Sequence, residues 1–140
     1  FSSKYLTDDK KINIAYFGNF YSNRNHNDIL KLLTNEKVVL HFFVQNPDDL
    51  SHIASERIIV NKFVSYFEFL NIANNMTYLY LNDVSFENGI NPFLPSKLSD
   101  YIVTNSKILA QIQPGSPMSK LNHKNIIKFE KLSKNIIERL

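Results

Sequence analysis

The chain carries five short, nearly continuous apolar runs, and this pattern limits its fold more than anything else in the sequence. They are INIAYF (12–17), VVLHFFV (38–44), RIIV (57–60), TYLYL (77–81) and KILAQI (107–112). A run without regular polar alternation reads as a strand buried on both faces, which is the condition of a parallel sheet covered by helices. The stretches between the runs have helical spacing. DILKLL (28–33) sets Ile29, Leu32 and Leu33 on one face, and FVSYFEFLNIA (63–73) repeats apolar residues at Phe63, Tyr66, Phe67, Leu70 and Ala73. A short helix is expected over Asp48–Ser55, its start marked by Pro47 and two acids. In the tail, Ile126, Phe129, Leu132, Ile136 and Leu140 form a stripe that predicts one long amphipathic helix. The expected fold class is α/β: a doubly wound, mostly parallel sheet with helices on both faces, Rossmann-like in layout. One domain is expected over 11–140, with 1–10 a lead-in or the stub of a preceding domain, and the start at Phe1 rather than Met suggests a piece of a longer protein.

Composition excludes several classes. The net charge of +3 is mild and interspersed, without the basic stripe that nucleic-acid binding needs. Lysines do gather among residues 120–134, which leaves room for peripheral attraction to an anionic membrane. With no cysteine there can be no disulfide, thiol catalysis or Cys-type zinc site, which suits a cytoplasmic location. No apolar run reaches the ~18 residues of a membrane span, and no signal peptide is visible.

In an open parallel sheet, ligands bind beyond the carboxyl ends of the strands. That rule selects the loops Gly18–Asn27, Gln45–Asp48, Asn82–Ser96 and Gln113–Met118. In the first, Gly18 directly follows a buried strand and lets backbone approach a ligand, while Arg24 offers a planar fork suited to phosphate. Equally, Arg24 fits an ordinary solvated loop. In the third, NPFLPSKLSDYI (91–102) places Pro95 where the first position of a helix needs no amide hydrogen, so Ser96 and Lys97 would lie in the first turn. Free amides and the dipole favour an anion there, whereas a lysine is an unfavourable neighbour unless an anion accompanies it. Asp100, three residues on, shares that face and could accept hydrogen bonds from sugar hydroxyls. Either this is a site or it is a helix start with an incidental lysine. Glu87, in the same loop, could touch a substrate or simply be solvated.

His26, His41, His52 and His123 show no metal-ligand spacing, and no metal is expected. His41, inside an apolar run, reads as a core histidine with one satisfied nitrogen. The aromatic residues Phe42, Phe43, Phe63, Phe67 and Phe69 read mostly as core.

The succession INIAYFGNFYSNR, VVLHFFVQN, FVSYFEFLNIANNMTYLYLND and NPFLPSKLSDYIVTNSKILAQIQPGSP resembles the C-terminal domain of GT-B glycosyltransferases. It is closest to the retaining family 4, in which PSKL-x-(D/E)-Y precedes a "small-Gly-Lys-Pro-Ile-Leu-Ala" run. The resemblance spans roughly 11–120, and PSKLSDY is its most specific part. It implies a nucleotide-diphosphate-sugar donor site with neither a metal nor a cofactor, and a separate N-terminal half holding the acceptor. By position, Gly18 and Asn19 would approach the donor phosphates and Arg24 the diphosphate. Lys97 and the amides around Ser96 would touch phosphates or sugar, and Asp100 would bind ribose hydroxyls as the second acid of Glu-x7-Glu. Phe63 and Val64 would lie near the base. Arg24 and Lys97 would be the catalytic cations, stabilising the leaving diphosphate. The chain departs from the pattern at three places. The first acid of Glu-x7-Glu falls at Pro92, which leaves its role lost or moved to Glu87. Asn25 stands for a frequent lysine, and Asn105 and Lys107 replace a usual glycine and proline. The expectation is a donor-binding domain, inactive alone, in cell-surface or capsular polysaccharide or glycoconjugate synthesis. The alternative is a non-catalytic doubly wound module for protein interaction.

Overall fold

The computed structural model describes residues 10–18, 27–82 and 97–140. Six strands form one sheet: β1 (Ile12–Phe17), β2 (Val38–Val44), β3 (Ile58–Lys62), β4 (Tyr78–Asn82), β5 (Ile108–Gln111) and β6 (Ile126–Phe129). Their order is β3-β2-β1-β4-β5-β6, and every neighbouring pair is parallel. This is a Rossmann-like order, in which the winding direction reverses between β1 and β4. All five apolar runs are strands, and β1 and β2 carry the expected limits.

The two faces of the sheet hold separate cores, as alternation along each strand requires. Ile14 and Tyr16 of β1 join Leu40, Phe42, Tyr80 and Leu109 on one face, with Ile29, Leu32, Leu50 and Ile137 packed over them. Ala15 and Phe17 join Phe43, Leu79, Leu81 and Ala110 on the other, beneath Phe69, Ile72, Leu98, Tyr101 and Met118. The first face is covered by α1 (Asn27–Leu30), the 3-10 helices Lys31–Thr34 and Pro47–Ile53, and α5 (Lys134–Glu138). The second is covered by α2 (Tyr66–Asn74), α3 (Leu98–Val103) and α4 (Pro117–Lys120). Helices therefore cover both faces, and 28–33 and 48–55 are helical largely as 3-10 turns.

Two expectations fail here. The tail is not one long helix but β6 followed by the five-residue α5. Ile126–Ile127 is β-branched and pairs with β5 in the register Ile108↔Ile126 to Gln111↔Phe129. Ser133 then starts a new element by accepting a hydrogen bond from the Ile136 amide. Phe129 enters the core from a strand, and Leu132, Ile136 and Leu140 pack on it from α5 and its flanks. The stripe is real, but two elements make it. The second failure is the inner face of α2. Phe69, Ile72 and Ala73 are buried, whereas Phe63, Tyr66 and Phe67 are 52%, 54% and 76% exposed. Ser65 starts this helix by accepting from the Glu68 amide. Phe42, Phe43 and Phe69 are core, and Phe63 and Phe67 are not.

A clamp not foreseen from the sequence holds the amino ends of the strands. Arg57 donates from Nε to the Val38 carbonyl (3.0 Å) and from Nη2 to the carbonyls of Leu33 (2.7 Å) and Asn35 (2.6 Å). It thereby ties the end of the first 3-10 helix to the starts of β2 and β3. Only a guanidinium has enough fixed donors to span these three acceptors. Arg57→Lys is expected to lower stability by about 2 kcal/mol, measured by urea denaturation.

His41 is 5% exposed, and its Nε2 donates to Asn13 Oδ1 at 3.0 Å, the core histidine the sequence predicts. Burial lowers its pKa from 6.5 to about 4. Between those values the unfolded chain binds a proton that the folded chain does not. Stability is therefore full above about pH 6.5 and falls as pH drops towards 4, by about 3 kcal/mol from this group. Unfolding measured between pH 7 and 4 is expected to show a shallower acid slope for His41→Gln.

Candidate functional site

At the reversal point the ladder between β1 and β4 is short. Its register covers Ile14↔Tyr78 and Ala15↔Leu79, two residues before β1 ends, whereas β1 and β2 pair over six positions. The Phe17 amide donates instead to the hydroxyl of Tyr101, at 3.3 Å. Tyr101 is fully buried and belongs to α3, so this helix is pinned against the carboxyl end of β1. Aromatic packing fixes the same corner. Phe17 stacks on Phe43 with centroids 4.6 Å apart and meets Phe69 edge-on at 4.8 Å, and Phe69 stacks on Tyr101 at 6.0 Å. Gly18 follows with φ 133°, and its amide donates to the Phe43 carbonyl at 3.0 Å. A Cβ here would make only ordinary contact with the Tyr16 ring, at 3.9 Å, so the backbone conformation rather than crowding selects glycine.

A cleft of about 210 Å³ opens at this corner, lined by Phe17, Phe63, Val64, Tyr66, Phe69, Lys97 and Asp100. It brings together four of the residues expected from sequence: Phe63, Val64, Lys97 and Asp100. Gly18 lies one residue from Phe17 but does not line it. Asn19, Arg24, Glu87 and Ser96 fall outside the described residues, as do His26, Asn25, Pro92 and Pro95. Phe17, Tyr66 and Phe69 were missed as cleft residues, although all three lie in segments already marked as strand or helix. The volume is below the ~300–1,000 Å³ of a complete small-molecule site, and suits one part of a ligand, such as a base or a ribose.

Lys97 does not lie in the first helical turn as expected. The helix begins at Leu98, and Lys97 is its N-cap residue, with φ −77° and ψ −13° and no side-chain cap bond. Its carbonyl accepts from the Tyr101 amide at 3.0 Å. A helix of six residues has little dipole to offer, so any anion here would depend on the ammonium itself. Lys97 is exposed and Asp100 half-buried, and neither forms an ion pair among the described residues. Asp100 follows at the third helical position, and both residues line the cleft. The cleft thus combines an aromatic floor, one cation and one hydrogen-bond acceptor. At the far end of α3, Asn105 takes φ 57°, the left-handed conformation that ends helices and that Asn tolerates better than most residues after Gly.

The opposite face of the sheet has a polar chain at the same ends of the strands. The Tyr80 hydroxyl donates to Gln111 Oε1 (3.2 Å), and Gln111 Nε2 donates to Asp28 Oδ2 (3.0 Å). That bond from Gln111 is the main cause of a lowered Asp28 pKa, and burial pushes the Tyr80 phenol well above its ordinary value. These groups satisfy one another and tie α1 to β4 and β5, which is a structural role. No group of three His, Asp or Glu side chains among the described residues could hold a metal ion.

The chain matches no protein-family model, no curated protein and no solved structure.

Tyr101→Phe removes the acceptor for a buried backbone amide while keeping the ring. The expected loss is about 1–3 kcal/mol in chemical denaturation, with the folded state retained.

Proposed function

We propose that the cleft beside α3 binds the nucleotide diphosphate part of a sugar donor, and that this chain is the donor-binding part of a GT-B glycosyltransferase. One observation carries the reading. Lys97, Asp100, Phe63 and Val64, from segments more than thirty residues apart, line a single cleft at the carboxyl end of β1. That is where an open parallel sheet with this strand order binds its ligands. In this reading Lys97 faces the diphosphate, Asp100 accepts from ribose hydroxyls, and the base lies against Phe63 and Val64. Chemistry at the donor would need no protein nucleophile. The sugar–phosphate bond breaks as cationic groups, Lys97 and Arg24, stabilise the leaving diphosphate. The acceptor would come from a second domain, so the chain alone binds a nucleotide without turning over sugar. Synthesis of a surface polysaccharide or glycoconjugate is the setting that fits this donor class.

A second reading, a protein-interaction module without catalysis, draws support from the exposure of Phe63, Tyr66 and Phe67 around the start of α2. Three large aromatic side chains clustered at a surface are also what a partner protein would bury.

Titration calorimetry with UDP and GDP separates the two. The expected outcome is binding of one nucleotide, weakened about ten-fold or more by Lys97→Ala, in line with loss of a charged hydrogen bond. Binding of neither, or equal binding by the variant, would overturn the proposal.

A further inference from the structure

The positive charge of this chain is not spread evenly. Residues 120–134 contain five lysines and one glutamate, a surplus of four, while the whole chain carries +3. The remaining sequence is therefore net negative by one, and the excess lies in the segment around β6. That strand ends the sheet order beyond β5. Lys120 ends α4 and Lys124 precedes β6, whereas Lys131 follows β6 and Lys134 begins α5; all four are exposed. Lys128 lies within the strand and donates to the Ser119 carbonyl at 2.8 Å. Lys134 meets Glu138 at 3.8 Å, with both side chains largely exposed, which weakly offsets its charge. Between the two sets of lysines, Ile127 is 42% exposed on the same strand.

We infer that the β6 edge is a contact surface for an anionic lipid bilayer. The exposed lysines lie on both sides of β6 in the chain, in α4, α5 and the turns beside the strand, with one partly exposed apolar side chain on the strand between them. Basic residues grouped at a surface are drawn to the anionic leaflet, and an exposed aliphatic residue among them suits the boundary between headgroups and acyl chains. Nucleic acid fits the patch less well. Its cations are lysines rather than guanidinium forks, and its aromatic residue, Phe129, is buried and cannot stack on a base. No helix among the described residues is long and apolar enough to cross a membrane, so the contact would be peripheral. The inference does not depend on the cleft reading, because none of these residues lines the cleft.

Vesicle co-sedimentation of the whole chain tests it, with phosphatidylcholine alone and with about 30% phosphatidylserine added. Binding to the mixed vesicles is expected to exceed binding to the neutral ones about ten-fold or more at ~0.1 M salt, and to vanish at ~0.5 M. Lys120→Gln/Lys124→Gln/Lys131→Gln should abolish most of it with an unchanged thermal midpoint. Ile127→Ser should weaken it several-fold, whereas Lys97→Ala should bind as the unaltered chain does. Equal binding to neutral vesicles, no binding, no effect of the triple variant, or tighter binding to a single-stranded oligonucleotide than to the mixed vesicles would each overturn the inference.

Discussion

The hydrogen bond from the Phe17 amide to the Tyr101 hydroxyl is the contact on which the cleft depends. A parallel ladder continued to the end of β1 would occupy that amide with a backbone carbonyl and leave no gap. Here the register with β4 stops at Ala15↔Leu79, and a side chain from α3 takes the next donor on that edge. Because Tyr101 is fully buried, the helix that carries it can shift little relative to the sheet. Lys97 and Asp100 stand four and one residues before it, so their places follow from this anchor. The aromatic set Phe17, Phe43, Phe69 and Tyr101 supplies the stiffness, and its outer rim becomes the apolar floor of the cleft.

Strand placement was legible because the determining interaction is local in sequence. A strand buried on both faces must be almost wholly apolar, and β1 and β2 show that pattern with one polar residue each, Asn13 and His41, which bond to each other. Helix phase was less legible. In 63–73 eight of eleven positions are aromatic or aliphatic, so spacing alone admits several inner faces, and the packing of Phe69, Ile72 and Ala73 into the second core decides among them. The tail shows a different limit. A stripe at intervals of three and four satisfies a helix, but Ile126–Phe129 also satisfies an edge strand. The free edge of β5, a long-range partner, settled the choice. Arg57 was invisible for the same reason, since its three acceptors belong to Leu33, Asn35 and Val38 and exist as a group only after folding.

For the cleft, the carboxyl-end rule located the right loops without specifying which side chains would converge. Lys97 stands out in the sequence as a cation at a helix start, and Asp100 as an acid three residues on, on the same face. The structure alters that argument, because Lys97 stands outside the first turn and the helix is short. The case for a ligand now rests less on the helix dipole than on convergence with Phe63 and Val64. Asn105 is also better understood. The position takes a left-handed backbone, which Asn adopts more readily than most residues, and this closes α3.

The cleft and the basic edge lie on different boundaries of the same sheet. One opens at the carboxyl end of β1, and the other runs along β6, three strands away, or about 14 Å at ordinary strand spacing. Contacts along the hydrogen-bonding edge of a sheet do not cover the ends of its strands. A chain held to a surface through β6 would therefore keep Lys97 and Asp100 open to solvent, with its strands running alongside that surface. Occupation of the cleft and contact through the basic edge would then not compete for the same part of the sheet.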